Sequence, residues 1–263
     1  MKFTFYSIRK EVKIILNINK IYNVDCLSIN GMQSIDNKSI DMILCDLPYG
    51  TTDCKWDSIL NLNDLWYQYK RVVKDNCAIV LTSSQPFTSV LVMSNTDQFK
   101  VEWIWQKNAG SNFGTVKYQP MKEHESVLVF GKGKIKYNPI MQERAESGKA
   151  RVKTVVNYNT NAEVYQNGNL HNQVSSKRDE LRYPSSIQKF NRERGLHPTQ
   201  KPVALFEYLI RTYSNEGDLI LDNCIGSGTT AVACINTNRK FIGFEIDTKY
   251  YDLANNRINN LLN

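Results

Sequence analysis

Leu219-Ile220-Leu221-Asp222-Asn223-Cys224-Ile225-Gly226-Ser227-Gly228-Thr229-Thr230-Ala231 reads as a buried strand, a tight turn and the first turn of a helix. The apolar triplet is short and stops at polar residues, as expected of a strand covered on both faces. Gly226 to Ala231 fits a loose G-x-G-x-x-A turn. Its first glycine permits a sharp reversal, and its second lets backbone approach a ligand closely. Lys240 to Phe244 is a second strand, and Glu245 closes it 19 residues after Gly226. A carboxylate placed there can hold the two hydroxyls of a ribose. The element therefore suits an adenosine-containing ligand, with nicotinamide and flavin dinucleotides still open on this evidence alone. A Walker-type phosphate loop is excluded, because no G-K-S/T follows the glycines.

Working outward, Ile40 to Cys45 has the composition of a buried parallel strand. Leu65, Trp66, Tyr69, Val72 and Val73 fall at helical spacing after Asn63 or Asp64, either of which can cap the start. Cys77 to Leu81 is another buried strand, and Pro86 can open a helix running through Met93. Phe99, Val101, Trp103 and Trp105 alternate, predicting a strand with one wide aromatic face. Val127 to Phe130 is a further short strand. Pro202 begins a helix whose buried face carries Val203, Phe206, Leu209, Ile210 and Tyr213. Thr229 to Asn236 is a helix, and Tyr250, Leu253, Ala254, Ile258 and Leu261 mark a C-terminal amphipathic one. Strands alternating with helices predict an α/β fold with a doubly wound, mostly parallel sheet.

The 263 residues suffice for one large domain with an inserted lobe, and their 41% hydrophobic and 22% charged content is that of a globular chain. The net charge is +7 and unevenly placed: residues 131 to 196 hold 13 Lys and Arg against 6 Asp and Glu, an excess equal to that of the whole chain. That span is rich in Asn, Gln and Ser, with Tyr137, Tyr158, Tyr165, Tyr183 and Phe190 among its cations. It reads either as a solvated loop or as a basic lobe that binds nucleic acid. Cys26, Cys45, Cys54, Cys77, Cys224 and Cys234 form no C-x-x-C pair, and several lie in apolar runs, so free buried thiols are expected. With 3 scattered histidines, no metal site is expected. No stretch approaches 18 uninterrupted apolar residues and the N-terminus lacks a leader pattern, so a cytoplasmic protein with no membrane partner is expected.

The strand Ile40 to Cys45 runs into Asp46-Leu47-Pro48-Tyr49-Gly50. An exocyclic amine on adenine or cytosine is a poor nucleophile because its lone pair is conjugated into the ring. Methylating it requires acceptors that hold the N–H bonds and localise that lone pair. The Asp46 carboxylate and the Leu47 carbonyl can be those acceptors, with Pro48 fixing the carbonyl and Tyr49 offering a face for the base. Stacking of a base on an aromatic ring contributes about 1–3 kcal/mol. A strand-terminating Asp-x-Pro turn with a packed tyrosine is the alternative reading of the same residues.

With both elements in view, the chain resembles the β class of S-adenosylmethionine-dependent DNA amino-methyltransferases. Asp46-Leu47-Pro48-Tyr49 is similar to their D/N/S-P-P-Y/F tetrad. Asp222 to Thr230 is similar to their cofactor loop, D-P-F-x-G-S-G-T. His197-Pro198-Thr199-Gln200-Lys201-Pro202 matches their H-P-T/A-Q-K-P motif. The likeness runs from about Tyr22 to the C-terminus. It implies a Rossmann-like methyltransferase fold in which residues 1–133 form the catalytic half, 134–196 a target-recognition lobe, and 197–263 the cofactor half. It further implies that Asp46, Leu47, Pro48 and Tyr49 are catalytic. Asp25 would approach the cofactor's adenine. Thr199 and Lys201 would meet its amino-acid end together with Asp222 and the loop Gly226, Ser227, Gly228, Thr229 and Thr230, and Glu245 would take the ribose. The partner implied is double-stranded DNA with the target base flipped out, and the class is compatible with a homodimer. Asp at the head of the tetrad points to adenine N6 rather than cytosine N4. Two departures stand out: Leu47 replaces a proline, and Asn223-Cys224 replaces Pro-Phe. An RNA or protein amide methyltransferase and a non-catalytic nucleic-acid-binding module are the rival readings.

Overall fold

The computed structural model describes residues 15–50, 57–146, 181–193, 195 and 200–262. In chain order the elements are β1 (Lys20–Tyr22), β2 (Ile40–Asp46), α1 (Leu62–Val72), β3 (Val73–Ser83), α2 (Phe87–Met93), β4 (Phe99–Gln106), β5 (His124–Phe130), β6 (Gln142–Glu143), β7 (Leu181–Arg182), β8 (Ile187–Lys189), α3 (Val203–Tyr213), β9 (Leu219–Asp222), α4 (Thr229–Asn236), β10 (Lys240–Phe244) and α5 (Thr248–Leu262). The chain divides into two compact units, one of Met1–Asn138 with Ser186–Asn263, the other Pro139–Ser185.

In the first unit eight strands form one sheet in the order β1-β10-β9-β2-β3-β5-β4-β8. Neighbours from β1 through β3 are parallel, β5 runs antiparallel to both β3 and β4, and β8 is parallel to β4. The α/β, mostly parallel expectation holds, with β5 as the reversed strand. From β2 the chain builds outward to β3, and from β9 it builds the other way to β10. The seam between β2 and β9 is thus a topological switch point, and open α/β sheets bind ligands beyond the strand ends there.

Both sheet faces are covered, which explains the continuous apolar runs. Met42 and Leu44 of β2 face α3 through Leu205, Phe206, Leu209 and Ile210. Ile43 and Cys45 face the other way, where Leu65, Trp66 and Tyr69 of α1 and Phe87 of α2 pack. The same alternation recurs in β3 and β5.

Three local readings differ from expectation. Helix α1 is capped by Asn61, whose side chain accepts from the Asn63 and Asp64 amides, so those two residues lie inside the first turn. In β4 a register shift between Phe99 and Val101 breaks the aromatic face. Phe99 packs edge-on against Phe130 on one side of the sheet, Trp103 and Trp105 are buried on the other, and Val101 is exposed. In α5, Ala254 and Ile258 are buried but Leu261 is exposed, because the apolar face runs past the edge of the core.

Within the basic span, Tyr137 and Phe190 pack against Tyr213 and Tyr208 of α3, at ring separations of 6.0 and 5.7 Å, and Lys136 pairs with Asp218 at 2.6 Å. In the second unit β6 pairs antiparallel with β7, and Tyr183 is exposed. Tyr158 and Tyr165 lie outside the described residues. Cys26, Cys45, Cys77 and Cys234 are buried free thiols, Cys224 is half-buried, and Cys54 is outside the described residues. Among the described residues no helix is long and apolar enough to cross a membrane, and no cluster of candidate metal ligands occurs.

Candidate active site

Asp46 is the last residue of β2 and stands in register with Thr82 of β3. That register brings the Thr82 hydroxyl onto Asp46 Oδ1. The Tyr49 hydroxyl donates to the same oxygen at 2.8 Å, so the turn after the strand folds back on its own carboxylate. Leu47, the departure from proline, is only 3% exposed and packs in the core. Its carbonyl is held by side-chain burial as well as by the neighbouring Pro48. Phe87 stacks on the Tyr49 ring at 5.7 Å and 24°. Gly50 adopts φ 66°, where a β-carbon would be strained, and its amide donates to Asp57 Oδ1 at 2.8 Å.

Lys201, expected at the cofactor's amino-acid end, lines the cavity and aims its ammonium at Asp46. The Nζ lies 2.6 Å from Asp46 Oδ2, 3.4 Å from Glu125 Oε2 and 5.2 Å from the centre of the Tyr49 ring. Glu125 Oε1 in turn accepts from Lys107 Nζ at 2.5 Å. Burial alone would lower the Lys201 pKa, but the carboxylates of Asp46 and Glu125 outweigh it and hold the ammonium charged. Burial would likewise raise the Glu125 carboxyl, and the two lysines outweigh it downward. Burial, then the Asp46 charge, push the Tyr49 phenol well above its usual value, so it serves as a donor and not as a phenolate.

Across the seam, Asp222 ends β9, accepts the Thr230 hydroxyl, and takes the Cys224 amide at 3.0 Å. Glu245, one residue past β10, accepts the Gly226 amide on Oε2 at 2.8 Å and the Asp247 amide on Oε1 at 2.9 Å. Each oxygen keeps a second lone pair for a ligand hydroxyl. Asp25 accepts the Leu27 amide at 2.8 Å. The first glycine turns the chain at φ 55°, as expected, but the second does not approach the cavity. Gly226 has open space where a β-carbon would sit, whereas a β-carbon on Gly228 would meet Ala254 at 3.1 Å. Gly228, at φ 81°, therefore serves the packing of α4 on α5, and Gly226 faces the cavity.

One cavity of about 320 Å³ joins both halves and is lined by Asp25, Asp46, Leu47, Pro48, Tyr49, Lys201, Asp222, Gly226, Ser227, Thr229, Thr230 and Glu245. Thr199 lies outside the described residues with His197 and Pro198. The Asn223-Cys224 departure has its own support. The buried Asn223 accepts the Tyr69 hydroxyl at 2.5 Å, and its amide nitrogen lies 3.5 Å from Cys26 Sγ and 3.4 Å from Cys224 Sγ. A polar cluster reaching back to α1 thus stands where the resembling motif carries Pro-Phe.

Thr82, Phe87, Lys107, Glu125 and Tyr69 were not anticipated. None belongs to a local motif, and each reaches the site through strand register or helix packing.

Burial pushes the Asp222 carboxyl up to about 7, against the pull of its Thr230 and Cys224 donors. The folded chain then holds a proton that the unfolded chain releases near pH 4. Its stability contribution is lost as pH rises from about 4 to 7, by up to about 1.4 kcal/mol per pH unit, and levels off above 7. Asp222→Asn is expected to flatten that decline in urea midpoints measured from pH 5 to 8. Parallel profiles for variant and wild type would show an ordinary acid at this position.

The model of the DNA methylase family, which takes in the N6 and N4 enzymes, matches residues 40–256. This chain belongs to that family. The methylase is 28% identical to the type II methyltransferase M1.MboII of Moraxella bovis, over 94% of this chain and 98% of the relative. It is 27% identical to the DNA adenine methyltransferase YhdJ of Escherichia coli strain K12, over 86% of this chain and 79% of the relative. The solved structure of the M1.HpyAVI–SAM complex matches with a TM-score of 0.61 at 25% identity, covering 90% of this chain and 98% of that one. The methylase is thus a DNA methyltransferase of the N6/N4 group that uses S-adenosylmethionine. The cavity fits that cofactor in chemistry: an open glycine backbone, a carboxylate at Glu245 able to accept ribose hydroxyls, and a size of about 320 Å³ within the usual range for ligand pockets, about 300–1,000 Å³.

Proposed function

We propose that the methylase transfers a methyl group to the exocyclic N6 of adenine in double-stranded DNA, as a modification enzyme of the type II kind. The observation that carries this reading is the Asp46 carboxylate in the lining of the shared cavity, beside Leu47 and bonded to the Tyr49 hydroxyl. The cofactor supplies a methyl sulfonium, and everything else falls to the protein. Asp46 and the Leu47 carbonyl each accept one N–H of the target amine, turning its lone pair out of conjugation and toward the methyl group. As the N–C bond forms and the C–S bond breaks, the nitrogen becomes positive and sheds a proton, which Asp46 is placed to receive. A base inside a duplex cannot reach a carboxylate at a strand end, so the base is flipped onto Tyr49, whose ring Phe87 holds in place. The basic span of residues 134–196 is assigned to gripping phosphates and reading the site. An aspartate at the tetrad's head and the likeness to a DNA adenine methyltransferase favour adenine over cytosine N4.

Incubating the protein with methyl-labelled S-adenosylmethionine and unmethylated duplex DNA, then digesting to nucleosides, tests the assignment. The expected product is N6-methyladenine. Label in N4-methylcytosine would overturn the choice of base, and label in neither would overturn the reading of the site.

A further inference from the structure

We propose that Glu125 is a positioning residue for methyl transfer, sharing the Lys201 ammonium with Asp46 so that Asp46 stays free to accept an N–H of the target amine. The inference rests on the site reading above and concerns a residue outside its motifs.

Asp46 Oδ1 already accepts from Tyr49 and Thr82, and Oδ2 accepts from Lys201 at 2.6 Å. Since a carboxylate offers about four lone-pair sites, one on Oδ2 remains for substrate. The ammonium beside it carries three N–H donors and a full charge. With no second acceptor it would turn further onto Asp46, competing for that site.

Glu125 supplies that second acceptor. Its Oε2 lies 3.4 Å from Lys201 Nζ, and its Oε1, 2.5 Å from Lys107 Nζ, is held from the opposite side. Lys107 and Lys201 are both almost fully buried, so solvent screens neither charge well. Asp46 and Glu125 against Lys107 and Lys201 sum to zero. Removing the Glu125 charge leaves Lys201 with Asp46 as its one charged acceptor and Lys107 without a counter-ion.

Glu125→Gln keeps the shape and removes the charge. Its single-turnover transfer rate is expected to fall by about tenfold or more, with the cofactor Kd and the DNA KM within about twofold of wild type. Because Gln also leaves Lys107 as an unpaired buried cation, the double variant Glu125→Gln/Lys107→Met is made alongside it. The double variant should recover the wild-type Tm while its transfer rate stays low, and Glu125→Asp should recover part of the rate. A rate that returns together with Tm in the double variant would show that Glu125 only balances Lys107, overturning the proposal. So would a wild-type rate in Glu125→Gln. Wild-type protein that labels neither adenine nor cytosine would instead overturn the site reading beneath it.

Discussion

Asp46→Ala is expected to lower methyl transfer by on the order of 10²–10³-fold or more, the scale seen when one preorganised polar group is removed from a reacting centre. The variant loses the acceptor that localises the amine lone pair and the partner that takes the Lys201 ammonium at 2.6 Å. The stability cost should be smaller than the loss of rate. Breaking a fully buried ion pair costs about 3–5 kcal/mol. Here the Asp46 side chain is 24% exposed and Lys201 keeps Glu125 as a second counter-ion, so the cost should lie below that range. Cofactor binding should survive, because Glu245 and Gly226 stand on the other side of the seam and do not bond to Asp46. Labelled-methyl transfer and calorimetric titration with S-adenosylmethionine, run on the same preparation, separate these effects. Transfer within about tenfold of wild type would remove Asp46 from the chemistry.

Glu245→Ala should have the opposite profile, with weak cofactor binding and chemistry that recovers at saturation. The carboxylate holds the Gly226 and Asp247 amides, and with them the shape of the glycine turn, while its remaining lone pairs face the cavity. Losing a charged hydrogen-bond partner costs about 1.5–3 kcal/mol, or roughly 10- to 150-fold in cofactor Kd. Glu245→Gln, which keeps one acceptor, should fall between. Titration gives the Kd, and kcat at saturating cofactor should approach wild type, as expected when the lost interaction served binding in ground and transition states alike. An unchanged Kd would reduce Glu245 to a structural cap on the turn.

Much of the architecture was legible because it is local. Buried parallel strands carry unbroken apolar runs, so Ile40 to Cys45 and Leu219 to Leu221 read as strands, each extended by one aspartate in the structure, and the residues after Pro202 read as a helix through their 3.6-residue spacing. Errors arose where two neighbouring residues could do the same work, as with Asn61 rather than Asn63 or Asp64 at the start of α1. They also arose where one extra residue changed faces, as in β4, where the register shift sends Phe99 to the opposite side of the sheet from Trp103.

The sequence by itself determined the doubly wound sheet, the two ends of the cavity and the acceptor groups at each. Those features are written in contiguous motifs whose backbone geometry follows from glycine, proline and apolar periodicity. Only the tertiary structure decided how those groups are charged and who attends them. Glu125 and Lys107 come from β5 and the residue after β4, Thr82 from β3, and Tyr69 from α1. They meet Asp46, Lys201 and Asn223 solely because the sheet places those strand ends side by side. Coulomb forces and hydrogen bonds act across a few ångströms of space, whatever the distance along the chain, and no local pattern records that proximity.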